Sequence, residues 1–222
     1  ATDVQRLIEF FQRLLTDTGW ATSVIQDTIA SEIEFEHELD AFDEAFDYLR
    51  YETNSTPDAL YEDLCQRLFD TTGQTTLEVH RLANDDGEVG LTTPDSPGYF
   101  GVITIGKDKD FTDMIAAQEY RNVRVREIET FSDLLFERIS NDDSQIRFLI
   151  GSKKFSEGWD SVRPTNMGFL NLGRSKGPAT IQMFGRGVRL NGKHNDGKRE
   201  RFADSHISAV ETLHVFGLRS SY

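Results

Sequence analysis

The pattern of hydrophobic and polar positions divides the chain into a helical first third and an alternating remainder. Within residues 3–70, apolar residues recur every three or four positions, which is the spacing of a helix with one buried face. Thr56, Pro57 and Asp58 form a helix start, with a capping hydroxyl, a proline in the first turn and an acid beside it, and they predict a helix from roughly Ala59 to Phe69. The apolar positions of the two earlier predicted helices are Val4, Leu7, Ile8, Phe11, Leu14 and Leu15, and then Ile33, Phe35, Leu39, Phe42, Phe46 and Leu49.

From about residue 76 onward the pattern is that of strands. TTLEVHRL and EVGLTT flank a turn at Asp85-Asp86-Gly87 and predict a β-hairpin. Predicted strands then alternate with predicted helices, an order that favours a parallel α/β sheet flanked by helices. The strands are expected at 99–105, 123–128, 146–150, 167–172 and 212–216, and the helices at 111–117, 131–139 and 178–184. We therefore expect an acidic helical region at 1–75, a hairpin at 76–97 and an α/β domain at 98–222.

Charge is distributed unevenly over the 222 residues, whose formal net charge is −14. Residues 144–222 hold 13 Lys and Arg against 6 Asp and Glu, a net charge of +7, so the remaining 143 residues carry −21. Such asymmetry suggests that the basic part meets an anion. Cys65 is the single cysteine, which excludes an intrachain disulfide and a cysteine-based zinc cluster. No apolar run reaches the roughly 18 residues of a membrane span, so we expect a cytoplasmic protein without a membrane partner.

Two segments resemble nucleotide-binding motifs in sequence but lack the residues or the local structure that nucleotide binding requires. Residues 101–107 (GVITIGK) match the spacing of a phosphate-binding P-loop, yet Asp108 follows where a hydroxyl should ligate magnesium. Their middle residues favour a strand rather than a phosphate-cradling loop. Residues 43–46 (DEAF) resemble an acidic helicase box, but they lie on the polar side of a predicted amphipathic helix. We reject both as nucleotide sites, although Gly106 and Lys107 remain candidates for a turn near a ligand.

Residues 151–160 (GSKKFSEGWD) follow the predicted strand at 146–150 and so lie at a carboxyl strand end, where open α/β sheets bind ligands. Ser152 offers a hydroxyl to a phosphate, and Lys153 and Lys154 offer charge. Gly158 permits a turn or a close approach, and Asp160 can accept a hydrogen bond from a ribose or position an arginine. An ordinary polar loop explains the same residues equally well.

Residues 182–190 (QMFGRGVRL) place Gln182, Arg186 and Arg189 on one face of a predicted helix, because their spacing is four and three. A planar guanidinium suits phosphate oxygens. Gly185 and Gly187 each cost about 1 kcal/mol in a helix relative to alanine, which indicates a helix end or a close approach to the backbone. Considered alone, an exposed basic helix end is the simpler interpretation.

Together the two segments resemble motifs V and VI of superfamily 2 helicases, whose patterns are Ser/Thr-x5-Gly-x-Asp and Gln-x-x-Gly-Arg-x-x-Arg. Residues 151–190 are most similar to the helicase subunit of type III restriction enzymes, and the resemblance covers about residues 99–222. It implies a RecA-like parallel sheet flanked by helices, the second motor domain of an ATP-dependent DNA helicase or translocase. Residues 1–97, a helical segment and a β-hairpin, would then be an insertion before this domain.

The resemblance assigns tasks to the matching positions. Ser152, Lys153 and Lys154 are expected to contact the DNA backbone. Coupling to the nucleotide, or close approach to it, falls to Gly158, Asp160 and Gly185. Catalysis falls to Gln182 near the γ-phosphate and to the arginine fingers Arg186 and Arg189. ATP and Mg²⁺ would be bound mainly by a first RecA-like domain preceding this chain, so the chain alone should not turn over ATP. A methyltransferase or specificity subunit is a further implied partner.

Other functions remain open from the residues alone. A non-catalytic nucleic-acid or protein binding module with a RecA-like fold would use the same arginines to hold phosphate or an acidic partner. An RNA helicase domain would carry the same motifs. No nuclease motif of the PD-(D/E)xK type is visible, and no metal site is expected because the histidines lack metal-ligand spacing. They are interpreted as structural or exposed: His37, His80, His194, His206 and His214.

Overall fold

The structure is a computed structural model that describes most of the first two thirds of the chain and short parts of the last. The described residues are 2–30, 46, 49, 55–82, 87–129, 134–151, 161–170, 185, 192, 194, 196–198 and 211–218. The predicted helix around residues 33–49 falls almost wholly outside them. Within these ranges, no helix is both long enough and apolar enough to cross a membrane.

Three helices precede the first strand: α1 (Thr2–Thr16), α2 (Thr18–Ala30) and α3 (Pro57–Phe69). The helical spacing predicted for α1 is confirmed, because the buried side chains of this helix are Ile8, Phe11, Leu14 and Leu15. The predicted start of α3 is confirmed as well. Thr56 Oγ1 accepts a hydrogen bond from Ala59 N at 3.2 Å, which satisfies a donor that the first helical turn leaves free. The helix ends where Asp70 adopts a left-handed conformation, with φ 51°.

A five-stranded sheet follows, in the spatial order β4-β1-β2-β3-β5. Its strands are β1 (Leu77–Leu82), β2 (Glu88–Thr92), β3 (Gly101–Thr104), β4 (Val123–Ile128) and β5 (Phe148–Gly151). Two more helices lie between these strands in the chain: α4 (Asp108–Ala116) follows β3, and α5 (Leu135–Arg138) follows β4. Strands alternating with helices confirm the expected α/β class, although α5 is shorter than the helix predicted at 131–139.

Four of the five strands run in one direction. β1 is antiparallel to β2 and β2 is antiparallel to β3, while β4 is parallel to β1. The N–H groups of Arg147 and Phe148 both donate to Phe100 O, at 2.7 and 3.1 Å, so β3 and β5 start side by side and run parallel. The carboxyl ends of β1, β3, β4 and β5 therefore lie at one edge of the sheet.

The predicted hairpin is confirmed in its pairing but not as a separate segment. β1 and β2 pair with register Val79↔Leu91, and Gly87 beside the turn has φ +97°, a conformation that favours glycine. Both strands also pair outward, β1 with β4 and β2 with β3, so the hairpin forms the middle of the sheet. The hydrogen-bonded ladder therefore continues from the hairpin into β3.

One face of the sheet carries the main core. Alternate residues of β1, Leu77 and Val79, point to this face and pack with side chains from α1, α3 and α4. Phe11, Phe69, Phe100 and Phe148 form an aromatic group, with ring centroids 4.8–6.2 Å apart. Phe69 and Phe148 are stacked and the other pairs are edge-to-face, and both arrangements stabilise beyond simple area burial. The opposite face carries Glu78, His80 and Glu88, which the core does not use.

The chain divides into two compact units. The first comprises residues 1–136 and 145–150, with the helices and the sheet described above. The second comprises residues 137–144 and 151–222. Its described part contains β6 (Asn166–Leu170) and β7 (His214–Leu218), which pair in parallel with register Gly168↔Phe216. These two strands overlap the strands predicted at 167–172 and 212–216. The guanidinium of Arg163 holds the chain before β6 by donating to Ile139 O and Ser144 O within the same unit.

Candidate functional site

All but one of the site residues predicted from the sequence lie outside the part of the chain that the structure describes. Their predicted contacts therefore remain predictions. Those outside are Ser152, Lys153, Lys154, Gly158, Asp160, Gln182, Arg186 and Arg189. Gly185 is described, with an exposed helical backbone, and a Cβ added there would meet nothing within 4 Å. Among the described residues, nothing blocks the approach of a ligand to this backbone.

The first candidate motif, residues 152–160, begins directly after a strand of the sheet. β5 ends at Gly151, and Ser152 is the next residue of the chain. Because β5 runs parallel to β3, β1 and β4, the motif begins at the carboxyl ends of the parallel strands. Open α/β sheets bind their ligands at this edge. The structure shows where β5 ends, and the position of the motif beyond Gly151 stays a prediction.

The P-loop-like segment is a strand, as predicted. Gly101–Thr104 forms β3, Gly106 and Lys107 form a turn, and α4 begins at Asp108. The Asp108 carboxylate is occupied, because Arg81 Nε donates to its Oδ2 at 2.8 Å and a second nitrogen of Arg81 pairs with Glu127. The hydrogen bond that Arg81 donates to Asp108 is the main cause that raises the pKa of Arg81. Residues 101–108 therefore provide neither the loop conformation nor the free hydroxyl of a P-loop.

A buried carboxylate caps the short helix α5. Glu88 at the start of β2 is fully buried and accepts hydrogen bonds from Leu135 N at 2.9 Å and Phe136 N at 3.1 Å. These are backbone donors that a first helical turn cannot satisfy internally. Sequence reasoning missed this contact, since an acid after a turn carries no signal for a partner 47 residues away.

A polar cluster lies on the sheet face opposite the main core, and it consists of Glu78, His80, Tyr99, Arg124 and Arg126. The Glu78 carboxylate is central: Oε2 lies 3.1 Å from His80 Nε2, and Oε1 lies 3.1 Å from Arg126 Nη2 and 3.9 Å from Arg124 Nη1. His80 Nδ1 is hydrogen-bonded to the hydroxyl of Tyr99 at 3.1 Å. Sequence reasoning treated His80 as structural or exposed and did not single out the other four residues.

Burial and neighbouring charges shift the pKa values of His80 and Tyr99 in this polar cluster. Burial lowers the pKa of His80, the neighbouring Glu78 carboxylate opposes this fall, and Arg126 adds to it. Burial, followed by the charge of Glu78, raises the pKa of Tyr99, so its phenol stays protonated and is a poor nucleophile. What the cluster does achieve is to hold two guanidinium groups over one buried carboxylate.

Within the described ranges, no three His, Cys, Asp or Glu side chains come together in a way that could hold a metal ion. Comparison of the chain with protein-family profiles, with curated proteins and with solved structures found no match. The assignment of function therefore rests on the residues and on the fold.

Proposed function

We propose that this chain supplies the second motor domain of an ATP-dependent DNA helicase or translocase similar to the type III restriction enzymes. The observation that carries the proposal is the occurrence of both motifs, 152–160 and 182–189, in the expected order and about twenty residues apart. Either motif alone has an ordinary explanation. Their joint occurrence downstream of an α/β sheet matches one arrangement of a nucleotide-driven motor.

The fold supports the proposal at a coarser level. A mostly parallel sheet flanked by helices is compatible with a RecA-like domain. The strand β5 (Phe148–Gly151) leads directly into Ser152, which lies at the start of the first motif. In such sheets, the loops at the carboxyl ends of the strands bind ligands.

The P-loop-like segment bears on which domain would bind ATP and Mg²⁺. Asp108 occupies the position of the magnesium-binding hydroxyl and is paired with Arg81, so the P-loop-like segment at 101–108 offers no magnesium ligand of the P-loop kind. We infer that another RecA-like domain binds ATP and Mg²⁺. Arg186 and Arg189, with Gln182, would then face the γ-phosphate from this chain, while Gly158, Asp160 and Gly185 would lie against the nucleotide. One arginine finger accounts for about 10³–10⁵ in rate in well-studied phosphoryl transfer enzymes.

Contact with DNA would come from Ser152, Lys153 and Lys154 at the start of the first motif. A hydroxyl and two ammonium groups bind phosphate oxygens without reading sequence, as a motor that moves along its substrate requires. Closure of the two lobes on ATP, and their opening after hydrolysis, would displace these contacts along the backbone. Binding of this kind weakens steeply as salt increases.

The decisive experiment measures ATP turnover by the intact protein that contains this chain, with duplex DNA, single-stranded DNA or RNA added. Arg189→Ala is expected to reduce stimulated turnover by about 10³-fold or more, while binding of a fluorescent ATP analogue persists. Arg67→Ala is the matched control. Its guanidinium is exposed on α3 and pairs with exposed Asp63 alone among the described residues, so turnover should stay at the wild-type rate.

Three other outcomes would change the assignment. Turnover that survives Arg189→Ala would remove this residue from catalysis. Stimulation by RNA alone would make the protein an RNA motor. An intact protein that binds nucleic acid but never turns over ATP would be a binding module, with Arg186 and Arg189 holding phosphate.

A further inference from the structure

The outer strand of the sheet presents two arginines that the proposed motor does not use. β4 is at the end of the strand order, so it has a neighbour on one side within the sheet. Arg124 and Arg126 are alternate residues of this strand and therefore project to the same face. In the register with β1, Arg124 lies opposite Glu78 and Arg126 lies opposite His80.

The two arginines project away from the main core. Val123 and Val125, the neighbouring residues of β4, pack against the core cluster on the helix-covered face. Arg124 and Arg126 consequently lie on the opposite face, where their side chains are 59% and 54% exposed. Their guanidinium groups remain accessible to a ligand in solution.

One buried carboxylate orients both guanidinium groups. The Glu78 side chain is 7% exposed, and its Oε1 approaches Arg126 at 3.1 Å and Arg124 at 3.9 Å. A guanidinium has five N–H donors, so most donors of each arginine remain unused by Glu78. Two guanidinium groups against one carboxylate leave a net charge of +1, because the lowered pKa of His80 keeps its imidazole neutral near pH 7.

Protection of a sheet edge does not explain the buried carboxylate. Charged side chains on an outer strand do discourage pairing with other chains, but exposed charges achieve this without a buried partner. Burying a carboxylate costs several kcal/mol unless charges and hydrogen bonds compensate. What Glu78 adds is a defined orientation for two planar groups that bind phosphate oxygens in pairs.

We propose that the Arg124–Arg126 pair is a second contact for the phosphodiester backbone of nucleic acid, oriented by the buried carboxylate of Glu78. The inference rests on the proposed function, since it extends backbone contacts from the basic last third of the chain into its acidic part. Net charge there is strongly negative, so the attraction is local to this pair, and it positions a strand without selecting its sequence.

The test measures binding of the 222-residue chain to fluorescent duplex DNA, single-stranded DNA and single-stranded RNA by anisotropy, over a series of salt concentrations. The double variant Arg124→Gln/Arg126→Gln should weaken binding about tenfold at moderate salt, and should lower the slope of log K against log salt by about 2, roughly one for each phosphate that the arginines no longer neutralise. The control Arg13→Gln/Arg67→Gln removes two exposed arginines of α1 and α3 and should change neither quantity.

A second variant separates charge from geometry and does not depend on the folding of the first. Arg124→Lys/Arg126→Lys keeps both charges but removes the paired hydrogen bonding, so the salt slope should stay unchanged while affinity falls about threefold. Wild-type affinity for both double variants would overturn the proposal.

Failure of this proposal differs from failure of the motor assignment. If Lys153→Gln/Lys154→Gln weakens binding and the Arg124–Arg126 variants do not, the motif contact stands and the second contact is wrong. If the wild-type chain binds none of the three nucleic acids, the backbone contacts proposed for the motor are wrong, and this inference falls with them.

Discussion

The ring of Tyr99 lies against the backbone of Gly90, in space that any side chain at position 90 would occupy. A Cβ built on Gly90 would come within 2.5 Å of ring atoms Cδ1 and Cε1 of Tyr99. Gly90 is paired with His80 across the β1–β2 ladder, and the hydroxyl of Tyr99 is hydrogen-bonded to His80. The absent side chain of Gly90 therefore allows Tyr99 to reach the polar cluster around Glu78.

Gly90→Ala should destabilise the protein by about 1–3 kcal/mol, the usual cost of overpacking a well-filled site. The methyl group would displace the ring of Tyr99 and break its hydrogen bond with His80. Urea denaturation of the variant measures the destabilisation. Gly106→Ala is the matched control, because a Cβ at that position meets nothing within 4 Å and should leave stability close to that of the wild type.

Removal of the ring should abolish the penalty at position 90. In a Tyr99→Ala background, Gly90→Ala is expected to cost nothing and to stabilise by up to about 1 kcal/mol, since alanine loses less backbone entropy than glycine in a strand. An equal cost in both backgrounds would show that the ring of Tyr99 does not cause the strain.

Local patterns predicted the elements that depend on neighbouring residues. The spacing of Phe11 and Leu15 predicted α1, the Thr56-Pro57 pair predicted the start of α3, and the apolar run at 146–150 predicted β5 to within a residue or two. Each of these signals is set by a side chain and residues within one turn or one strand of it. The position at which β5 ends, Gly151 just before the first candidate motif, depends likewise on strand direction and chain order.

Contacts between distant residues were not predictable from the sequence. Glu78 and Glu88 look like ordinary strand acids, and nothing local indicates that the first meets Arg126 and the second caps α5. The same holds for the position of the hairpin in the middle of the sheet, because both β1 and β2 find partners outside the hairpin. Pairing order is decided by packing over the whole chain, whereas periodicity reports on one segment at a time.

Glu88→Gln should cost about 1–3 kcal/mol of folding free energy. The amide keeps one acceptor oxygen but replaces the other with a donor that faces the N–H groups of α5, and it removes the charge that those donors favour. Urea denaturation provides the measurement, with exposed Glu62→Gln of α3 as the control. Equal stability of the Glu88 variant and the wild type would show that the cap contributes nothing.

His80 should make folding stability depend on pH near and below the unfolded pKa of about 6.5. Its pKa is lowered in the folded state by burial, so the unfolded chain, with an ordinary pKa near 6.5, binds more protons in this window. Stability from this group is therefore fully present above the unfolded pKa and is lost as pH falls toward the folded pKa, by less than about 1.4 kcal/mol per pH unit.

Comparison with His80→Gln isolates this dependence, because the other titrating groups are common to both proteins. Denaturation at several pH values should show the wild type losing stability relative to the variant as the solution is acidified. Relative stability that instead increases on acidification would mean that the charge of Glu78 outweighs burial and that His80 is protonated in the fold.

Tyr61 should lower stability at alkaline pH. Burial first, and then the neighbouring Cys65, raise the pKa of its phenol to about 12, while the unfolded chain ionises near 10. For an acid whose folded pKa is raised, the contribution to stability is present below the unfolded pKa and is lost as pH rises from about 10 toward 12.

Tyr61→Phe removes this dependence. It also removes the hydrogen bond that the phenol donates to Leu14 O at 2.9 Å, at a cost of about 1 kcal/mol at neutral pH. The stability difference between variant and wild type should therefore shrink as pH increases above 10, and the tyrosinate absorbance titration of the variant should lack one late-ionising phenol. A constant difference across this range would mean that Tyr61 ionises as readily in the folded chain as in the unfolded one.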